Sequence, residues 1–326
     1  MRFILIFLFL IIQSVAQSTM ISGFISDSSS GEALIGANVI LQETGQGMAT
    51  DINGYYIIQD IVPGNYVLMV SYVGFSLRKE KLSISDSQSI KLNIALSEEV
   101  VELSQVEVTA EQIQRKANIQ PSKINLSPRM MKAAPALAEP DLFRTIQALP
   151  GVLTTSEFST GLVIRGGNTD QNLILLDGVT VYNPSHLGGI FSNFIVDGVK
   201  EAELIKGAYN AEYGGRLSAV LNIISREGNQ KKFEGKANLS LLSAQATLEG
   251  PFYKGAWVLS GRRTYFDQIF KSNPNIPPYY FYDIQSHVYS DLTPKDRLSI
   301  SFYNGIDDLL FGTFGLAGRW GNNTLS

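Results

Sequence analysis

Two histidines, His186 and His287, and no cysteine make up the imidazole and thiol chemistry available to this chain of 326 residues. Without cysteine there is no disulfide, no thiolate metal site and no cysteine nucleophile. No glutamate stands at a ligand-like spacing from His186. Asp51-Ile52-Asn53-Gly54 invites a calcium reading. An EF-hand loop needs Asp or Asn at its first, third and fifth positions before the glycine, and a closing glutamate. Here the glycine comes two residues early, so a hairpin turn is expected. Gly166-Gly167 is not followed by Gly-Lys-Ser/Thr, which excludes a phosphate loop of the common kind. Asp177, Glu203 and Glu212 are acids at strand ends, and nothing in their spacing brings two together. The residues therefore predict no catalytic group, no metal site, no cofactor and no enzyme.

The elements that would position these side chains follow from charge and pattern. Net charge is -4 and no Lys/Arg cluster forms a basic patch, so no nucleic-acid partner is expected. At the N-terminus Arg2 precedes an apolar run, Phe3 to Ile12, that ends in Ser14-Val15-Ala16. A membrane-spanning helix needs about 20 apolar residues. The run is too short for that and reads as a signal peptide, residues 1–16, cleaved to leave Gln17. Gln17 is not a cysteine, so no lipid anchor is expected there.

Residues 17–97 alternate with period two. Ala37, Val39 and Leu41 form one apolar face, as do Tyr66, Leu68, Val70 and Tyr72, and then Ile90, Leu92, Ile94 and Leu96. Ser30-Gly31, Asn53-Gly54 and Pro63-Gly64 supply turns, and together these predict a small β-sandwich. Residues 98–120, with Glu98, Glu99, Glu102, Glu107 and Glu111, read as an extended linker. Residues 121–228 read as a compact α+β domain. Ser127-Pro128 starts one helix, and Asp141 starts another over Leu142–Leu149. Strands follow at Leu162–Ile164, Leu173–Leu176, Val199–Ile205 and Val220–Ile224. From 229 to 326 the strands lengthen to about 10 residues, apolar on one face and polar on the other, which is the pattern of a transmembrane barrel. Ala244, Ala246 and Leu248 alternate with Gln245, Thr247 and Glu249, and Tyr282, Ile284 and Val288 oppose Asp283, Gln285, His287 and Tyr289. A soluble sandwich shows the same alternation, usually in shorter strands. The phase slip between Leu241 and Leu242 predicts a bulge or turn.

Two resemblances run through these segments. Ile21-Ser22-Gly23, Gly36-Ala37-Asn38-Val39, Thr50-Asp51-Ile52-Asn53-Gly54-Tyr55-Tyr56 and Pro63-Gly64-Asn65-Tyr66 resemble the carboxypeptidase regulatory-like (transthyretin-like) domain. Further on, six stretches stand in the order and spacing of the TonB-dependent receptor plug. They are Leu149-Pro150-Gly151-Val152, Val163-Ile164-Arg165-Gly166-Gly167, Leu175-Leu176-Asp177-Gly178-Val179, Glu203-Leu204-Ile205-Lys206-Gly207, Glu212-Tyr213-Gly214-Gly215 and Val220-Leu221-Asn222-Ile223-Ile224. Tyr209-Asn210-Ala211 departs from the proline-containing stretch common after the Lys-Gly step. In the linker, Leu103-Ser104-Gln105-Val106-Glu107-Val108-Thr109-Ala110 resembles a TonB box, with Val106 and Val108 on one side of a strand and Glu107 and Thr109 on the other.

The resemblance implies a mostly β chain: a small β-sandwich, an α+β plug, and the first strands of an outer-membrane β-barrel. It implies energised uptake of a scarce solute, such as an iron chelate, vitamin or glycan. The implied partners are the TonB protein on the periplasmic side, outer-membrane lipid and the solute. Arg165 and Arg216 would be structural charges, since plug arginines often meet acidic residues on the inner barrel wall. Tyr182-Asn183-Pro184-Ser185-His186-Leu187 is the candidate ligand loop, with Tyr182, Asn183, Ser185 and His186 as contacts; an ordinary Asn-Pro turn with an exposed histidine fits the same residues. A bilayer does not tolerate an open sheet edge. With room for about four to six wall strands, the chain is expected to be part of a longer receptor or a truncated product. The alternative is a surface adhesin or sensor assembled from exported β-modules.

Overall fold

The structure is a computed structural model, and it describes residues 19–85, 89–99, 123–134, 139–156, 159–269, 273, 278–293, 296–311 and 316–326. The proposed signal peptide and the TonB-box residues Leu103, Val106, Glu107, Val108 and Thr109 lie outside these. The chain divides into two compact units, the first holding strands β1–β8 and the second everything from residue 123 onward.

The first unit is a sandwich of β1 (Met20–Asp27), β2 (Asn38–Leu41), β3 (Gly47–Ala49), β4 (Tyr55–Ile58), β5 (Gly64–Ser71), β6 (Arg78–Ile84), β7 (Ser89–Lys91) and β8 (Ile94–Leu96). One sheet has the order β4-β1-β7, with β8 also on β1, and the other β3-β2-β5-β6. The alternating apolar residues meet between them: Ile21, Ile25, Val39, Leu41, Tyr56, Leu68, Val70 and Leu96 are all buried. The Ile90–Leu96 run forms two short strands instead of one. At the break, Asn93 Oδ1 accepts from Phe24 N at 3.0 Å and Leu92 N donates to Ser22 O at 2.8 Å. A Cβ on Gly23 would lie 1.9 Å from Leu92 O, so only glycine admits this approach. Asp51-Ile52-Asn53-Gly54 is a turn, in which Asp51 Oδ1 accepts from Asn53 N and Tyr55 N.

The second unit begins with β9 (Lys123–Leu126), helices α1 (Pro128–Ala133) and α2 (Leu142–Gln147), then β10 (Val152–Thr154) and β11 (Leu162–Ile164). It continues through β12 (Leu173–Leu176), β13 (Val179–Thr180), β14 (Ser185–His186), β15 (Phe191–Ser192), β16 (Val199–Ile205) and β17 (Val220–Ser225). Ser127 caps α1 through Met130 N, with Pro128 at the first position, and Asp141 caps α2 through Phe143 N and Arg144 N. The second helix stops at Gln147, short of Leu149. Leu149 N closes a tighter turn on Ile146 O, because the residue before Pro150 is steered out of helical geometry. A sheet of order β13-β12-β17-β16-β9 backs both helices. Leu142, Phe143, Ile146, Phe194, Ala202, Leu204, Leu221 and Ile223 form its core.

The remaining strands are β18 (Glu234–Leu239), β19 (Ser243–Phe252), β20 (Gly255–Thr264), β21 (Tyr279–Asp291), β22 (Arg297–Phe311) and β23 (Leu316–Leu325), with helix α3 (Phe266–Ile269) between β20 and β21. They form one antiparallel meander, each strand paired with the next. The phase slip at Leu241–Leu242 is the turn between β18 and β19. The two faces have inverted polarity. Ser243, Thr247, Glu249, Ser260, Arg262, Thr264, Asp283, Gln285 and Asp307 are buried. Leu248, Leu259, Ile284, Leu298, Ile300 and Phe302 are exposed, at 39–53%. The polar face lies on the β9–β17 domain: Gln285 Nε2 donates to Ser225 Oγ at 2.8 Å, Arg262 Nη2 donates to Ser192 O at 2.7 Å, and the Tyr303 ring enters the domain's core. Among the described residues no helix is long and apolar enough to cross a membrane.

Candidate functional site

The densest polar chemistry lies where the β14–β15 hairpin meets β20, β21 and β22. The hairpin turns through Leu187 and Gly188, both with φ near +50 to +64°, and Gly189 N donates to His186 O at 3.0 Å. That turn sends the His186 side chain onto the sheet, where it is fully buried. Its ring stacks on Phe281, with centroids 4.1 Å apart and planes 7° from parallel. Nε2 lies 2.8 Å from Asp283 Oδ1 and Nδ1 lies 2.8 Å from Asp307 Oδ2. An ionised carboxylate only accepts, so with both acids ionised each ring nitrogen carries a proton. Burial by itself lowers the imidazole pKa. Asp283, by charge and hydrogen bond, and Asp307, by hydrogen bond, outweigh that and the repulsion of Arg262, so the net shift is upward.

Each aspartate is held by further donors. Asp283 accepts from Arg262 Nε at 2.9 Å, Arg262 Nη2 at 2.5 Å and Tyr303 Oη at 2.7 Å. Asp307 accepts from Leu187 N at 3.1 Å and from Tyr279 Oη. Arg262 in turn donates to Glu139 Oε1 at 2.6 Å, and Glu139 Oε2 takes Gln245 Nε2 at 3.0 Å and the Ser243 hydroxyl. Three acids, one arginine and one histidine thus share a buried cluster that ties the hairpin and the approach to α2 to four sheet strands. Such a cluster is costly to break at one member, because a buried charge is then left without its partner. Among the described residues no group of His, Asp and Glu could hold a metal ion.

A second contact ties the Asp177-Gly178 hairpin to the six-stranded sheet. Both residues have φ above zero, 48° and 83°, as a two-residue type I′ turn requires. Asp177 accepts from Ser225 N at 2.8 Å and Ser225 Oγ at 2.6 Å, and Gln285 donates to that same Oγ. A third contact is the paired Arg226–Glu249 fork, at 2.9 and 2.7 Å.

The sequence-derived residues are distributed as follows. Tyr182 is 79% exposed, and Asn183 is exposed with its carbonyl accepting from Asn193 Nδ2 and Asn322 Nδ2. Ser185 sits in β14 opposite Ser192. His186, the last of the four candidate loop contacts, is buried, its ring held on the sheet between two aspartates. Arg165 and Arg216 close no ion pair among the described residues. Arg165 lies over Gly207, where a Cβ would stand 3.1 Å from its Nη1, and Arg216 Nη1 donates to Gly215 O at 2.9 Å. Arg262 of the sheet meets Glu139 of the preceding domain, the reverse of the expected arrangement, whereas Arg226 meets Glu249 of β19 in the expected sense. Gly166 follows Arg165 in another turn with both φ positive, Gly167 packs against Ser218, and Gly214 and Gly215 lie in the loop before β17. The sequence reading missed Glu139, Arg262 and Asp307. Their only signal was a charge at a polar-phase strand position or just ahead of a helix.

Residues 21–108 match the CarboxypepD_reg-like domain, and residues 126–220 match the TonB-dependent Receptor Plug Domain. The chain therefore carries a carboxypeptidase regulatory-like domain followed by a TonB-dependent receptor plug. It is 28% identical over 244 residues to TonB-dependent receptor P26 of Formosa agariphila, covering 69% of this chain and 23% of that protein. It is 25% identical over 259 residues to the TonB-dependent transporter Oar of Myxococcus xanthus, covering 72% and 22%. Thus the chain spans about a quarter of the length of these relatives. Among solved structures it is similar to a ferric enterobactin receptor mutant of Pseudomonas aeruginosa, at 20% identity and a TM-score of 0.47, over 65% of this chain and 38% of that one.

Proposed function

We propose that this chain supplies the periplasmic sandwich, the plug and the first wall strands of an outer-membrane receptor that imports a scarce solute with energy delivered by TonB. The observation that carries the reading is the inverted polarity of the six-stranded sheet. A soluble sheet buries its apolar face. This one buries Arg262, Asp283, Gln285 and Asp307 against the plug and turns Leu259, Ile284, Ile300 and Phe302 outward. Strands of 10 to 15 residues with that polarity suit a bilayer, which needs about 9 to 11 residues per strand. Export would follow cleavage after Ala16, and Tyr182 and Asn183 stand exposed where a solute could meet the plug.

The test is made at the TonB box. If Leu103–Ala110 pairs with TonB through its backbone, Val106→Pro in the full-length receptor removes a ladder N–H and should abolish uptake while solute binding and assembly persist. Val106→Thr keeps both the N–H and the β-branch and should retain most uptake. Wild-type uptake by the proline variant would overturn the assignment of this segment. Loss of assembly would give it a folding role instead.

A further inference from the structure

We infer that His186, held between Asp283 and Asp307, is a charge-dependent latch that docks the β14–β15 hairpin of the plug onto the wall strands β21 and β22. The argument rests on geometry. Both ring nitrogens reach carboxylate oxygens at 2.8 Å, and the two carboxylates belong to different strands, so one imidazolium bridges them. The backbone follows the side chain, since Leu187 N, the next residue, is bound by Asp307 and by Tyr279 Oη at 2.9 Å. The charged or titratable groups packed around the ring are Asp283 and Tyr279 of β21, Asp307 and Tyr303 of β22, and Arg262 of β20, which carries Glu139 beyond it. Asp141 holds the other arm of the hairpin through Ser192 N at 2.7 Å and does not touch the ring.

Protonated His186 cancels one of two aspartate charges that Arg262 alone does not balance. Neutral His186 has one N–H, so it donates to one aspartate and turns a lone pair towards the other. The hairpin's hold is therefore conditional on the proton. The imidazole pKa is raised in the docked state, so docking gains stability that is complete below the ordinary histidine value and lost as pH rises through the raised one. The hairpin also carries the exposed end of the plug loop at Tyr182 and Asn183. A latch here sets when that loop can leave the wall, independently of any pull on the linker.

The inference rests on the receptor reading for the setting of its test, and the readout separates the two because it reports docking and not uptake. Ser192 is fully buried and its Oγ has no hydrogen-bond partner, so Ser192→Cys in the full-length receptor places a thiol that only undocking exposes. Labelling by a membrane-impermeant maleimide is followed from pH 6 to 9 in outer-membrane vesicles. Each rate is divided by that of the same thiol in urea at the same pH. With His186 present, relative labelling should be slow at pH 6 and rise with pH. In His186→Gln it should be at least tenfold faster at pH 6 and nearly flat, so the two curves converge. Asp307→Asn, with His186 kept, should move the rise to lower pH. Ala202→Cys, in the plug core, should stay unlabelled throughout. Equal labelling of both backgrounds at pH 6 would overturn the latch, as would a gap that does not narrow with pH, an unmoved rise in Asp307→Asn, or labelling at Ala202→Cys.

Discussion

His186 shows how a residue's chemistry is set by what surrounds it, and Glu201 shows the same in the opposite sense. Glu201 lies in β16, 4% exposed, with one carboxylate oxygen lacking a hydrogen-bond partner. Burial, with Glu203 beside it, pushes its carboxyl up to about 7 against the pull of Lys123 and Lys200. A carboxyl raised in the folded state lends stability that is full below about 4.3 and is lost as pH climbs through about 7. Glu201→Gln should therefore leave the plug unchanged near pH 4 and stabilise it by roughly 3–4 kcal/mol at pH 8. Hydrogen exchange of β16 and β17 amides in the receptor would measure this; an equal effect at both pH values would contradict it. Asp141 serves three N–H groups, at Phe143, Arg144 and Ser192. Asp141→Ala loses the cap and leaves a buried N–H unpaired, which should cost about 2–3 kcal/mol by denaturant unfolding.

At the scale of elements, the sandwich and the plug obey different rules. Sandwich strands β1–β8 close their hydrogen bonds within two sheets over one apolar core, and no cysteine staple is involved. Residues 18–97 alone should unfold in one cooperative transition by circular dichroism, and a random-coil spectrum would refute their autonomy. The plug's helices have six residues each, too short to persist alone, and stand because Met131, Leu142, Phe143 and Ile146 are buried against the sheet. Their starts were legible as Ser127-Pro128 and Asp141, since a cap is local chemistry. The α2 stop was legible only to within two residues, because a tightened last turn competes with the helix at little cost.

At the largest scale, the second unit joins its plug to the sheet β18–β23 through a polar interface and leaves an apolar face on the sheet's other side. That inversion gives a clean test at Ile284, which lies midway along β21 and is 40% exposed. On a water-facing sheet Ile284→Arg would change stability by no more than about 0.5 kcal/mol. Facing lipid near the midplane it should cost about 2–4 kcal/mol and reduce the folded receptor recovered from the outer membrane. Unchanged recovery and unfolding would argue for a soluble sheet.

The residues by themselves determined what is local or periodic: the capped helices, the Asp177-Gly178 turn, the period-two strands and the ordered glycines of the plug. Each follows from backbone sterics or from side-chain alternation, which are properties of a few neighbouring positions. Which face of β18–β23 is buried was not decidable from alternation, because a period of two is the same read from either side. The plug settles it by lying against the polar face. Nor could spacing unite His186 with Asp283 and Asp307, which are 97 and 121 residues further along. Only the fold brings those charges together, and the low dielectric there turns an apparent surface histidine into a buried bridge.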